Sequence, residues 1–339
     1  MPSDRQANGK LALSLGIEGG GTVASIRKTA HMASTLSPTT NIRWPDATAA
    51  LGAAYASQWH RRLKYTLRLW STTGSRAVVL DHLAHSAAGQ ALLASAPRAF
   101  YPVMHKYLDR RFDARQRACA MVASMACMEQ VLGSDLAATL FGGAPRTLAV
   151  LPDGTRISLN LNRLTFHEGL WAIDLTRADG MRLFTISFGW LDARTLVLAC
   201  VQGPPREIDG LHCVRELTDA AQGLRPGHLL LYMLRACAAA WGVECVVGVD
   251  ESFQVKGRWN HKAQERRFDY SAFWTDAGGS VRADGNWRLP VSVPQRAIED
   301  VPTKRRAMYK RRYALLETLV RSAAQSLTLQ APGCEAASA

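Results

Sequence analysis

Two short apolar runs constrain this chain more than any other feature. One is Val197-Leu198-Ala199-Cys200-Val201, and the other is Cys245-Val246-Val247-Gly248-Val249. Both are rich in Val and lack polar alternation, the pattern of strands covered on both faces. Between them lies an apolar helix over about Pro226–Trp241, opened by Leu224-Arg225-Pro226-Gly227. Proline suits a first helical turn, where its missing N–H has no helical partner to lose. Two covered strands joined through a helix make a crossover, and its second strand runs parallel to the first. The expected unit is strand Thr195–Val201, a loop, the helix, then strand Glu244–Val249.

The hydrophobic period changes on the way to this unit. Residues 1–44 are small and polar and are predicted to be disordered. From Pro45 to Gly143 the spacing is helical: Trp59, Leu63, Leu67 and Trp70 recur at three- and four-residue steps, with Arg61, Arg62, Lys64 and Arg68 around them. Further helices are expected over Ala87–Ala94, Phe100–Arg111, Arg115–Leu132 and Asp135–Phe141. After Pro145 the period becomes two. Pro152-Asp153-Gly154 and Arg177-Ala178-Asp179-Gly180 then mark two hairpins. A last amphipathic helix runs over Thr303–Leu327. The expected fold is α+β or mixed α/β. It has a helical region (45–145), then a mixed, mostly antiparallel sheet with a crossover helix (146–330), and a flexible tail (331–339).

A length of 339 residues with 47% hydrophobic content allows one large domain or two small ones. The net charge of +13 favours anionic partners without choosing among them. Seven cysteines include no Cys-x-x-Cys pair, and His82 and His85 lack a recognisable third ligand, so no metal site is expected. Lys10–Ile17 is too short for a secretion signal, and Arg235 and Glu244 interrupt the most apolar stretch. A cytoplasmic protein is expected, with peripheral contact to the inner membrane left open.

Several motifs carry a resemblance. They include Phe166-His167-Glu168-Gly169, Val201-Gln202-Gly203-Pro204, Gly223-Leu224-Arg225-Pro226 and Asp269-Tyr270-Ser271-Ala272-Phe273-Trp274. Others are Asp284-Gly285-Asn286-Trp287-Arg288-Leu289-Pro290 and the run from Lys304 to Tyr313. Together, over about Arg146–Leu319, they resemble the bacterial VirK/YbjX family, a domain of unknown function. The resemblance implies envelope and virulence phenotypes, including tolerance of cationic antimicrobial peptides. It supplies no catalytic residues.

The order of elements is also similar to the GNAT-type acyltransferase fold. That likeness implies an acyl-CoA or acyl-carrier thioester whose pyrophosphate sits in a strand–helix loop. The candidate carrier-binding residues are Gln202, Gly223, Arg225, Gly227 and His228. Free N–H groups and the helix dipole attract anions there, and Arg225 can add a bidentate phosphate contact. The loop lacks the usual spaced glycines, and Pro226 removes one donor. A helix start whose Gly and Pro serve only the turn is the other reading.

Candidate bases are His167, Glu168 and Asp250. His167 and Glu168 are neighbours, and neighbours on a strand point to opposite faces. Asp250 follows the second covered strand, where open sheets keep ligand sites. Aromatics and basic residues interleave over 253–287, which fits base stacking, an acyl groove or plain packing on the sheet. Lys304, Arg305, Arg306, Lys310, Arg311 and Arg312 place positive charge at a helix start, against its dipole. An anionic partner such as a lipid headgroup is expected there, with a solvated, salt-bridged face as the alternative. No nucleic-acid recognition motif occurs. Two functions follow: an acyltransferase, or a non-catalytic basic protein that binds anionic lipid or a protein partner. The oligomeric state is not readable.

Overall fold

The computed structural model describes residues 42–256, 268–292 and 294–327. The expectations for residues 1–41 and for the tail lie outside these residues, as do those for Arg258, Trp259, Lys262, Arg266 and Arg267.

The first half is helical, and local capping explains where the helices begin. Short α1 (Ala47–Leu51) starts at Asp46, whose carboxylate accepts the Ala49 amide. Next come α2 (Ala53–Ala56), α3 (Trp59–Ser71), α4 (Thr73–His85) and α5 (Ala87–Ser95). Ser86 caps α5 by accepting from Gly89, and its hydroxyl donates to Glu129 at 2.8 Å. Pro97–Met104 is a 3-10 turn. The long α6 (Ala114–Leu132) opens with a reciprocal Asp113/Gln116 capping box and stops at Gly133, which is followed by α7 (Ser134–Phe141).

Then the chain builds a sheet. β1 (Arg146–Val150), β2 (Arg156–Leu161), β3 (Trp171–Thr176), β4 (Arg182–Asp192) and β5 (Thr195–Gln202) form an antiparallel meander. Both predicted hairpin turns are present. From β5 the chain crosses through α8 (Gly210–Ala220) and α9 (Pro226–Ala240) to β6 (Cys245–Gly248), which pairs parallel with β5. After α10 (Tyr270–Asp276) come β7 (Ser280–Val281) and β8 (Trp287–Leu289), and β8 inserts between β6 and β7. The order is β1-β2-β3-β4-β5-β6-β8-β7. The final helix, α11 (Thr303–Leu327), ties to the β1 end: Ser322 donates to the Leu148 carbonyl and Arg146 to that of Ser326.

Helices cover both faces of the sheet. A Cβ on Gly189 would lie 2.7 Å from the Ser124 hydroxyl, so α6 presses onto the β4 backbone at that point. Phe188 and Trp190 point the other way and meet Trp241 at the end of α9. The main apolar cluster runs from Val79 through the strands to Ala323. The change near residue 145 is therefore one of secondary structure, with no break in the packing.

Three expectations needed correction. The link from β5 to α9 contains α8, capped by Asp209, where only a loop was expected. Phe100–Arg111 is a 3-10 turn followed by irregular chain, because Pro102 interrupts regular helix. Trp44, assigned to the disordered segment, packs edge-on against Phe100. Apart from these, the Trp59–Trp70 stripe, whose direction the spacing leaves open, faces outward, and Tyr65 is the buried residue of α3.

Candidate functional site

The crossover places a site where β5 and β6 separate. Their pairing ends with Leu198 opposite Gly248, plus the Val249 amide on the Leu198 carbonyl. β5 continues to Gln202 without β6 beside it. Tyr270, the first residue of α10, fills the opening. Its hydroxyl accepts from the Val201 amide and donates to the Val201 carbonyl, each at 3.1 Å. One side chain thus does the bonding that a neighbouring strand would do. Trp274 closes the other side, flat against Gly248, with its indole N–H on the Val249 carbonyl.

Beside Tyr270 sits a buried carboxylate. The 3-10 turn Phe166–Glu168 enters β3 through Gly169 at φ +123°, where a Cβ would lie 2.4 Å from the Phe188 carbonyl oxygen. Only glycine fits that approach. The turn aims Glu168 inward, leaving it 4% exposed. Gln202, at the end of β5, donates to Glu168 Oε2 at 2.6 Å, and the Lys256 ammonium lies 3.7 Å from Oε1. Burial pushes the Glu168 carboxyl above its usual range, and Lys256, Cys200 and Gln202 only partly restore it. Such a carboxyl holds its proton to higher pH than a free one, which suits proton exchange with a bound group. Burial pushes the neighbouring Cys200 thiol up as well, so it is not a thiolate nucleophile.

The other proposed bases are separate from this cluster. His167 turns away from Glu168, and its Nδ1 is bonded to the Lys106 carbonyl at 2.7 Å. It packs against the rings of His105 and Tyr101. Burial lowers its basicity, and burial with Arg68 beside it lowers that of His105 to about 3. Asp250 is also engaged. Burial pushes its carboxyl up, but the Ser252 hydroxyl and amide, the Trp287 indole and Arg111 together hold it below the usual range. Asn286 ties this corner together, donating to Asp109 and accepting from the Asp250 amide. Asp250 reads as a structural cap.

The start of α9 carries the other four predicted carrier-binding residues, and three of them lie against side chains. Gly227 is buried, and a Cβ there would lie 3.3 Å from the Phe273 ring. His228 packs on the same ring at 4.7 Å between centroids. Gly223, at φ +79°, packs beneath Arg312 and Met308. Arg225 is exposed and has no partner among the described residues. Of the predicted carrier-binding set, only Gln202 reaches the Glu168 cluster.

The basic cluster on α11 is half structural. Arg306 bonds the carbonyls of Val301 and Glu299, and Arg311 and Arg312 bond the side chain and carbonyl of Gln222. Lys304, Arg305 and Lys310 are exposed without a partner among the described residues. Sequence reasoning missed Tyr270, Cys200 and Lys256 as site residues. Tyr270 lay in a quoted motif, but nothing in the sequence linked it to Val201.

A family model described as a protein of unknown function, DUF535, matches residues 55–325, from just before α3 to nearly the end of α11. The chain belongs to this family. It is the VirK/YbjX family that the motifs resemble. The uncharacterised protein YbjX of Escherichia coli (strain K12) is 25% identical over 273 residues, which cover 77% of this chain and 82% of YbjX. The membrane protein LapB of Mannheimia haemolytica is 28% identical over 216 residues, 63% of this chain and 94% of LapB. An uncharacterised protein of Haemophilus influenzae is 26% identical over 265 residues, 78% of this chain and 90% of its own length. No solved structure matches significantly. Among the described residues, no helix of this family member is long and apolar enough to cross a membrane.

Proposed function

We propose that the chain is an acyltransferase with Glu168 as its general base. Glu168 takes the proton from an amine or hydroxyl acceptor as that group attacks an acyl thioester. The C–S bond breaks, the acyl group passes to the acceptor, and the carrier leaves as a thiol. The observation that carries the reading is a buried carboxyl of raised basicity at the point where the parallel strands separate. Antiparallel strands leading through a crossover into a parallel pair support it, being the arrangement the GNAT likeness implies. The carrier's phosphates are not assigned to the start of α9. Envelope modification and antimicrobial-peptide tolerance are the setting that the family resemblance implies. The name of LapB and the net charge of +13 support a place at the membrane surface. A non-catalytic protein holding anionic lipid at the start of α11 is the weaker reading, because three of those six charges already hold the fold together.

The test is thiol release from acyl-CoA and acyl-carrier thioesters in the presence of amine and hydroxyl acceptors. Turnover by the native chain, lowered ~10²–10⁴-fold in Glu168→Gln, supports the proposal. No turnover across the panel, or an unaffected variant, overturns it.

A further inference from the structure

Helix α3 exposes a long apolar stripe. Trp59 is 75% exposed, Leu63 and Leu67 51% each, and Trp70 71%. At ~100° per residue these four side chains fall within about 80° of one another. From Trp59 to Trp70 the stripe runs about 16 Å along the helix.

The opposite side of α3 is firmly held. Tyr65 is buried and donates to the Pro45 carbonyl. Arg68 donates to the Tyr101 hydroxyl, and Arg61 bonds Gln58 and lies over the Tyr55 ring. The helix is therefore docked by one face, and the stripe is not a core face left loose. Scattered exposed leucines need no explanation, but a continuous row with tryptophan at each end does.

Charge indicates what covers it. No acidic residue occurs between Asp46 and Asp81, a stretch that carries Arg61, Arg62, Lys64, Arg68 and Arg76. Arg62 and Lys64 flank the stripe on opposite sides, and both are exposed. An apolar row with flanking cations complements a surface that is apolar below and anionic above. Tryptophan rings settle at the level of lipid headgroups, and Lys and Arg lay their stems on apolar surface while keeping their charge in water. An amphipathic helix of this kind lies in the plane of a bilayer.

We propose that α3 docks this protein onto an anionic lipid bilayer, with Trp59, Leu63, Leu67 and Trp70 entering the headgroup–acyl boundary. This deepens the membrane-surface part of the functional reading and is independent of acyl transfer: Glu168→Gln leaves docking unchanged. The contact is made by α3 and does not use the basic cluster of α11.

Flotation of the full chain with vesicles tests this, using phosphatidylglycerol mixed with phosphatidylcholine against phosphatidylcholine alone. Strong binding to the anionic vesicles is expected, weakening as salt rises. Leu63→Gln/Leu67→Gln, at exposed positions, should reduce binding at least about tenfold with an unchanged melting temperature. Trp59→Gln/Trp70→Gln is the second variant and should behave the same way. Arg62→Glu/Lys64→Glu should lose the preference for anionic vesicles. Absence of flotation overturns the proposal, and so does flotation unaffected by both apolar double variants. A dimer that Leu63→Gln/Leu67→Gln converts to monomer, without flotation, also overturns it and assigns the stripe to a second copy.

Discussion

Removing one oxygen atom, in Tyr270→Phe, tests how the separating strands are held. The ring is 6% exposed and packs between Phe268 and Trp274, contacts that phenylalanine keeps. Lost is the hydroxyl that serves both the amide and the carbonyl of Val201. Each buried backbone group left without a partner costs ~1–3 kcal/mol. Two such groups give ~2–6 kcal/mol, and a water entering the vacated space brings the expected loss to ~2–4 kcal/mol. That is a large share of a typical total stability of ~5–15 kcal/mol. Equilibrium urea unfolding measures it, with an unchanged m-value showing that the unfolding reaction is the same. Tyr313→Phe is the internal control. Its hydroxyl donates to the Arg296 carbonyl at 2.8 Å on the exposed side of the molecule, where water replaces the bond, so it should cost less than ~0.5 kcal/mol. If Tyr270→Phe costs no more than that control, the hydroxyl does not stand in for a strand and the reasoning is wrong.

Other substitutions read neighbouring parts of the fold. Gly248→Ala puts a Cβ 2.9–3.2 Å from three Trp274 ring atoms and should cost ~1–3 kcal/mol by thermal or urea unfolding. Asp174 is raised by burial to about 6, against the Thr185 hydroxyl and Arg182, which lower it. A carboxyl raised in the folded state favours folding at low pH, and this contribution is lost as pH climbs through about 6. Asp174→Asn removes that dependence. Its stability relative to the native chain should therefore improve by ~2–3 kcal/mol between pH 4 and pH 7, as read from urea midpoints at the two values. Burial, with Arg68 beside it, lowers His105 to about 3. The unfolded chain therefore takes up a proton near its usual pKa of about 6.5 that the folded chain refuses, so native stability falls as pH drops below that value, and His105→Gln should remove ~2 kcal/mol of the fall between pH 8 and pH 5, as read from urea midpoints.

Much of the sheet was legible because its signals are local. Asp153-Gly154 and Asp179-Gly180 announce their turns, and period-two strands on either side fix the pairing. The parallel β5–β6 pair followed from two unalternated Val-rich runs and a proline that starts a helix. The stripe on α3 was legible as a row, but its direction was not. Periodicity shows that residues share a face, not whether that face meets the core, and here Tyr65, with Leu69 half-buried beside it, turns inward instead. Glu168 and Gln202 lie 34 residues apart and meet only through the meander, so their contact has no sequence signature. For the same reason the burial of Gly227 under Phe273 was invisible: it depends on where α10 packs after the chain has left β6.

The pH dependence of thiol release tests the central claim most directly, comparing the native chain with Glu168→Gln in the presence of an amine acceptor. A buried base of raised pKa predicts a native rate that climbs as the Glu168 carboxyl loses its proton, at a pH above the usual carboxylate range. The variant should be slower by about 10² or more and should lack that limb. A variant that keeps both the native rate and the native limb would show that the proton goes elsewhere, and Glu168 would then be only a buried structural partner of Gln202.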